Sequence, residues 1–427
     1  MLVLAATLKA FGVDLHEARN KFLTGDYTGC ISAARQALKE DENNPDWTLL
    51  LCDSLMTTGQ YPEAQTVIKT ALGPYRQNIR LFWEARQVFL ANGDVQGARQ
   101  MLENIGRTVF RHPSDFSDAD ELVISGKTLL LMGVDPKKVL DHVFEAALKS
   151  DPKLRDVYLA GGELALDKHD FALAAEKFEA GLAQVPDDPD LQFGLARAYA
   201  PNNAALMMSS LESTLERNSN HVGALLMLVD HTIDAEDYPQ AAKLLDRVEA
   251  INPWNPDAWA YRAAMAELRN EPESAQKARE KGLKYWPNNP RVDYLIGLKW
   301  SQNYRFQEGA AHQRGALAFD PAYLPAKAQL AQDLLRLGEE AEGWKLAEEV
   351  QKQDAYDVEA YNLTTLHDTM GKFTTLTNQD FMVRMNSTEA ALYGQSVLNL
   401  LEQARSNLCA KYGFETSRPT IVEVFHE

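Results

Sequence analysis

The 427-residue chain is poor in cysteine and in positive charge, and each shortage excludes a class of function. Its three cysteines, Cys30, Cys52 and Cys409, cannot build a disulfide framework, and no two of them share a metal or redox spacing. Lys and Arg together number 43 against 61 Asp and Glu, a formal net charge of -18, so the chain lacks the clustered cations that neutralise phosphates and is not expected to bind nucleic acid. The acidic excess is that of a solvated outer face. No apolar run is long enough to span a bilayer. Residues 1–11 are apolar, but they are too short for a span and lack the positive leader of a secretory signal, and they read as an amphipathic capping helix. There is no Gly-rich phosphate loop and no Ser or Cys nucleophile arrangement. His-Glu occurs at His16-Glu17 and at His426-Glu427, but Asn20 stands where the first would need a second zinc-binding histidine, and the second ends the sequence. The other histidines have no partner one helical turn away and read as turn or packing residues. No catalytic residue, metal ligand or cofactor is therefore expected within these residues.

What is present is a repeat. In residues 155–186, Gly162 permits close approach of two helices, His169 and Asp170 make a turn, and Phe171 plugs it. Ala174, Phe178 and Leu182 form the apolar stripe of a second helix, which Pro186 ends. The same punctuation recurs at Gly25, Gly59, Gly93, Gly133, His169, Asn203, Glu236, Asn270, Tyr304, Gly338 and Gly371, at intervals of 33 to 36 apart from one of 40. A chain of this length exceeds one globular core, and the period selects an elongated stack. Cys30 and Cys52 fall at small-residue positions of successive repeats and act there as compact core groups.

The residues around each turn, Gly25-Asp26-Tyr27 with Ala18 and Ala37, Gly59 to Ala64 through Tyr61, and Glu236 to Ala242 through Tyr238, with closing prolines at Pro152, Pro253 and Pro321, resemble the tetratricopeptide repeat from roughly residue 11 to 373. The resemblance implies an all-α, right-handed α-solenoid of about eleven helix-turn-helix repeats. Its first helices would line a concave groove able to hold a protein or peptide segment. The positions that usually face such a groove nominate Phe193, Arg197, Asp230, Tyr261, Arg291 and Tyr294 as partner-binding residues; each has the alternative of packing within its own repeat.

Along the chain, residues 1–104 hold a cap and regular repeats, and 105–154 an irregular repeat with an acidic insertion. Regular repeats resume over 155–373, and 374–427 form a short truncated α/β segment. Arg86 occupies a small-residue position, which leaves the third repeat's register open by one residue. The insertion carries Asp115, Asp118, Asp120 and Glu121; it lacks the central glycine and closing glutamate of a calcium-binding hand and reads as a helix N-terminus. The turn at Pro201-Asn202-Asn203 is irregular. Trp254 and Trp286, each beside helix-stopping prolines, read as wedges between repeats rather than a ligand cage.

After Phe373 the pattern changes. Residues 374–380 are polar and 381–385 have strand composition. A helix follows from about Thr388 to Tyr412, with Asn386 and Glu389 as a capping pair and Gly413 as its left-handed stop, and then a β-branched run from Thr420 to Phe425. This tail, above all Lys411-Tyr412-Gly413-Phe414 followed by Pro419 and Val422-Glu423-Val424-Phe425, resembles the start of the peptidase MA-like domains of gluzincin zinc peptidases, which bacteria often fuse behind tetratricopeptide arrays. The resemblance implies that the chain is the arm of a larger metallopeptidase, with zinc in a downstream domain. The alternative is a freestanding repeat scaffold with no chemistry of its own.

Overall fold

The computed structural model describes residues 14–41, 44–75, 77–111, 116–416 and 419–425. The cap expected at residues 1–11, His112 and Asp115 of the insertion, and His426-Glu427 lie outside them. The described residues form two compact units, divided between Tyr323 and Leu324.

The first unit is a stack of antiparallel helix pairs, beginning with Leu15–Leu23 and Tyr27–Glu40, then Pro45–Thr57 and Tyr61–Leu72, and ending with Pro290–Gln302 and Phe306–Phe319. Local chemistry starts each helix. Asn44, Asn78, Asp188, Asn255 and Asn289 accept backbone N–H bonds at the starts of first helices, and Asp26, Asp170, Asn203 and Asp237 do so for second helices. Each such cap is worth about 1 kcal/mol. Proline sits in the first turn at Pro45, Pro189, Pro256 and Pro290, where its missing N–H costs nothing.

Nine of the eleven turn positions hold a positive φ: Gly25, Gly59, Gly93, Gly133, His169, Glu236, Asn270, Tyr304 and Gly338. The exceptions are instructive. Asn203 has φ -150° because the preceding helix, Pro189–Tyr199, stops early and Asn203 serves as a cap. Gly371 has φ -57° because a strand follows it instead of a second helix. The described residues therefore contain ten helix pairs and an eleventh first helix, Val358–Met370.

Phe178 shows how the repeats pack. It is fully buried between Gly162 and Gly194, and a Cβ on either glycine would come within 2.4 Å of its ring. One phenyl ring thus fills the space that two first helices leave by carrying no side chain. Cys30 and Cys52 are both buried, as their positions imply, with Cys30 taking a hydrogen bond from Ser54. Arg86 does not shift the register. Ile79–Ala91 begins and ends 34 residues after Pro45–Thr57, and the Arg86 guanidinium lies 5.6 Å from the Trp83 ring centroid. In the irregular repeat a π-helical stretch, Val139–Phe144, follows Pro136–Lys138, and its wider turns fall in the 36-residue interval from Gly133 to His169. Asp118 makes no side-chain cap bond, contrary to expectation. Asp120 and Glu121 occupy the first turn of Ala119–Leu131, and Asp120 pairs with Arg80.

The second unit contains the helices Leu324–Leu337, Glu340–Gln353 and Val358–Met370, then a three-stranded sheet of β1 (Phe373–Thr377), β2 (Phe381–Asn386) and β3 (Thr420–Val424) with the helix Ser387–Tyr412 between β2 and β3. β1 pairs antiparallel with β2, and β2 parallel with β3. Phe381, Val383 and Met385 are buried on one face of β2, in one cluster with Leu398. Arg384 on the other face pairs with Glu340 and Glu423. Asn386 caps the helix and Gly413 closes it at φ 63°. β1 runs from Phe373 into the stretch read as merely polar: its threonines suit a pleated edge, and Leu376 points onto Gly394. No described helix is long and apolar enough to cross a membrane.

Candidate functional site

In the first unit, the starts of successive first helices carry a ladder of charge. Arg19 lies 3.9 Å from Asp46, Asp46 2.7 Å from Arg80, and Arg80 3.0 Å from Asp120. Farther along, Arg155 binds Asp188 at 2.5 Å and also Asp190, whose other oxygen meets His221 Nε2 at 3.0 Å. His221 Nδ1 accepts from the Ala224 N–H, so Nε2 carries the proton and donates to Asp190. Burial opposes charge on Asp190, yet His221 and Arg155 outweigh it and hold the carboxyl well below the usual range. Asp257 and Arg291, again at equivalent positions, pair through two guanidinium nitrogens at 2.8 Å.

The inner face of these helices is crowded. Asp53 on Pro45–Thr57 has an exposed side chain, yet burial within the surrounding protein, followed by the charge of Asp156, pushes its carboxyl up to about 7. Its neighbour Glu84, nearly buried on Ile79–Ala91, is pushed well above the carboxylate range by burial and then by Asp53, to which it is hydrogen-bonded. The charges of Arg155 and Asp190 also act on Asp53, in opposite directions.

The six nominated residues lie on this same series of first helices. Phe193 packs 4.9 Å from His221, with the Arg197 guanidinium 5.9 Å from its ring centroid. Arg197 is exposed, and the mass of protein around it lowers its pKa. Tyr261 is buried and donates to Asp230 at 3.0 Å; Asp230 in turn lies 2.6 Å from Lys299, which is fully buried and also reaches Asp234 at 2.8 Å. Arg291 is half-exposed beside Asp257, and Tyr294 sits edge-on to Tyr323 at 5.8 Å. Asp230 and Tyr261 are thus committed to an internal ion network, whereas Arg197 remains open to solvent.

Sequence reasoning missed Lys299, Asp53, Glu84 and the ladder. The ladder was detectable: Asp46 and Arg80, and again Asp257 and Arg291, stand 34 residues apart with opposite charge. Lys299 gave no signal, because its partners Asp230 and Asp234 stand 69 and 65 residues before it in the sequence.

A cavity of about 320 Å³ adjoins the Asp257–Arg291 pair, lined by Tyr61, Trp254, Tyr285, Trp286, Tyr323 and Arg291 among others. Tyr61 comes from the second repeat, Ala91 from the third and the rest from residues 254–323, because the edge of the early repeats meets the edge of the later ones. Tyr27 accepts from Asn218 Nδ2 at 3.1 Å, and Tyr61 from Asn252 Nδ2 at 2.9 Å, in both cases 191 residues away. Trp286 lies under Gly93, so the expected wedge is driven between distant repeats rather than neighbours; Trp254 faces Tyr285 at 5.9 Å.

Family models described as tetratricopeptide repeat match residues 22–88 and 159–205. No curated protein matches the chain. Solved structures similar to it include the APC/C hetero-tetramer Cut9-Hcn1, at 13% identity and a TM-score of 0.48 over 82% of this chain and 68% of that one. Yeast Tom70 is similar at 12% identity and a TM-score of 0.41, over 83% of this chain and 88% of the other. The chain carries tetratricopeptide repeats, and neither matched segment includes the tail.

Proposed function

We propose that the chain is a protein-interaction scaffold that holds an extended protein or peptide segment along the inner face of its first unit. The observation that carries this reading is the line of first helices on which Arg197 is exposed and Arg291 half-exposed in a crowded interior, with Phe193 and Tyr294 beside them. Aromatic side chains supply contact area there and arginines directional bonds. A display library of random peptides selected on the full chain tests it. Arg197→Glu and Phe193→Ala should each weaken the selected peptides about tenfold or more, and Lys243→Glu, exposed on the second helix Tyr238–Ile251, should not. Equal binding by all three variants would remove the inner face as the site.

A finer reading makes this scaffold the arm of a zinc metallopeptidase, against the alternative of a freestanding scaffold. It is supported by the tail, where β2, the helix Ser387–Tyr412 and β3 form a parallel crossover in the order that the resemblance implies. Among the described residues no three His, Cys, Asp or Glu side chains are grouped to hold a metal ion, so no catalytic step is assigned to them. The mass of the natural product in its source discriminates the two: a longer product containing His-Glu-x-x-His supports the peptidase arm, and one ending at Glu427 supports the freestanding scaffold.

A further inference from the structure

Where the early repeats meet the later ones, the contact is made mainly by hydrogen bonds. Arg217 donates to the Asn20 side chain at 3.0 Å. Tyr27 donates from its hydroxyl to the Asn220 carbonyl at 3.2 Å and accepts from Asn218 at 3.1 Å, while Asn220 Nδ2 donates to the Gly25 carbonyl at 3.1 Å. One repeat farther on, Asn252 Nδ2 donates to the Tyr61 hydroxyl at 2.9 Å and to the Met56 carbonyl at 3.4 Å, and the Tyr61 ring meets Tyr285 edge-on at 5.4 Å. Tyr27, Asn218, Tyr61 and Asn252 are all buried. The hydrophobic clusters stop short of this line. The one that joins the first three repeats runs from Leu15 to Met101 and the one in the later repeats from Leu215 to Trp300, and no described residue belongs to both. A contact of this composition parts at little cost, because its donors and acceptors find water on separating while each repeat keeps the apolar neighbours that hold it folded.

What the contact encloses follows from the curvature of the stack. Lys299 on Pro290–Gln302 reaches Asp230 and Asp234 on Val222–Asp234, past the intervening first helix Pro256–Leu268. Only helices on the inside of a bend approach one another in this way, so the first helices line the inside. The contact joins Tyr61 to Asn252, and the repeats between them close into a ring that includes the first helix Pro189–Tyr199, which carries Phe193 and Arg197.

We infer that this contact is a reversible clasp: it opens to admit the segment held on the inner face and closes behind it, so that the repeats encircle that segment. The inference rests on the scaffold reading for what is encircled, but the opening of the clasp is tested without a partner. Asn252→Cys places a thiol in the clasp, and the buried Cys30 and Cys52, in the cluster of the first three repeats, serve as references. Under native conditions iodoacetamide should alkylate the introduced thiol about tenfold faster or more than either reference, because the clasp opens without unfolding the repeats. Equal rates would mean that the contact parts only on unfolding, and would overturn the clasp.

Encirclement is tested by adding Gly59→Cys. A Cβ on Gly59 would lie 2.9 Å from Asn252 Cγ, which brings the two Cβ atoms within reach of a disulfide. Oxidised glutathione should therefore close the clasp covalently; failure of the two thiols to pair would contradict the contact itself. The reduced form of the same variant is the control, so the strain at Gly59 cancels. The probe is a display-selected peptide carried between two folded domains too bulky to thread. Oxidation before mixing should exclude it, while the same peptide with free ends still binds. Oxidation after mixing should hold the probe against excess free peptide about tenfold longer or more than in the reduced complex, until dithiothreitol releases it. Entry into the oxidised chain at the reduced rate, or escape from it at the reduced rate, overturns encirclement. Arg197→Glu separates the two readings. Free-peptide binding unchanged by it would remove the inner face as the site whatever the clasp does, whereas binding that depends on Arg197 without trapping would leave the inner face standing and remove encirclement.

Discussion

The turns of the first three repeats and those of the later repeats share a left-handed backbone but are built from different residues. Gly25, Gly59 and Gly93 hold φ between 72° and 83°, whereas His169, Glu236, Asn270 and Tyr304 hold φ near 60° with side chains that pay a strain of about 1 kcal/mol or more. The difference is one of surroundings. A Cβ on Gly25 or Gly59 would stand 2.4 or 2.2 Å from the amide oxygen of Asn218 or Asn252, and one on Gly93 would press on backbone, while Tyr304 is 79% exposed. In these three repeats glycine stands where a distant repeat comes close, whereas Gly133 is glycine with nothing within 4 Å of its missing Cβ. The same two regions differ in what they bury: the early core holds Cys30, Cys52 and Ser54, and the later one holds Lys299 and a charged group around His312.

The largest effect expected from breaking this contrast is in the later repeats. Asp230→Ala combined with Asp234→Ala leaves Lys299 buried without a carboxylate and should cost about 3–5 kcal/mol in urea unfolding, most of it recovered by adding Lys299→Met. Next is Gly59→Ala, which combines backbone strain with the Asn252 clash and should cost about 2–4 kcal/mol. In an Asn252→Ala background, or at Gly133, where nothing lies within 4 Å, the same substitution should cost only the strain of about 1 kcal/mol. A larger cost at Gly133 than at Gly59 would sink the explanation by close approach.

A smaller effect separates the regions by pH. His312 lies 3.0 Å from Glu267 and 3.7 Å from Asp293, itself held by Arg279 at 2.6 Å, while Trp300 donates to Glu267. Burial opposes the imidazolium, but the bonds to Asp293 and Glu267 outweigh it and hold its pKa up to about 9. A raised folded pKa contributes stability that is full below the unfolded value of about 6.5 and is lost as pH rises through about 9. Thermal unfolding should show this loss between those limits, and His312→Gln should flatten it. The smallest effect belongs to the later turns: Glu236→Gly relieves strain and frees the unfolded chain, so melting should move by less than about 1 kcal/mol equivalent.

Much of the fold was legible because its causes are local. Turn residues, caps and first-turn prolines act within four residues of themselves, and the pair Gly162–Phe178 with Gly194 follows from the period. Among the nominated residues, the period placed all six on first helices and could not separate the open Arg197 from the committed Asp230, since that depends on Lys299 two repeats away. β1 escaped notice because a threonine-rich stretch becomes a strand only when β2 is there to pair with it.

The sequence by itself determined where the helices begin, turn and end, the 34-residue rhythm of the stack, and the strand-helix-strand order of the tail, because backbone propensity and capping are short-range. Only the tertiary structure decided that residues 191 apart would meet, that three turns would have to be glycine for that reason, and that a cavity would remain where the early and later repeats join. Those contacts depend on the small rotation from each repeat to the next summed over nearly six repeats, a quantity that side-chain packing sets and no local residue pattern records.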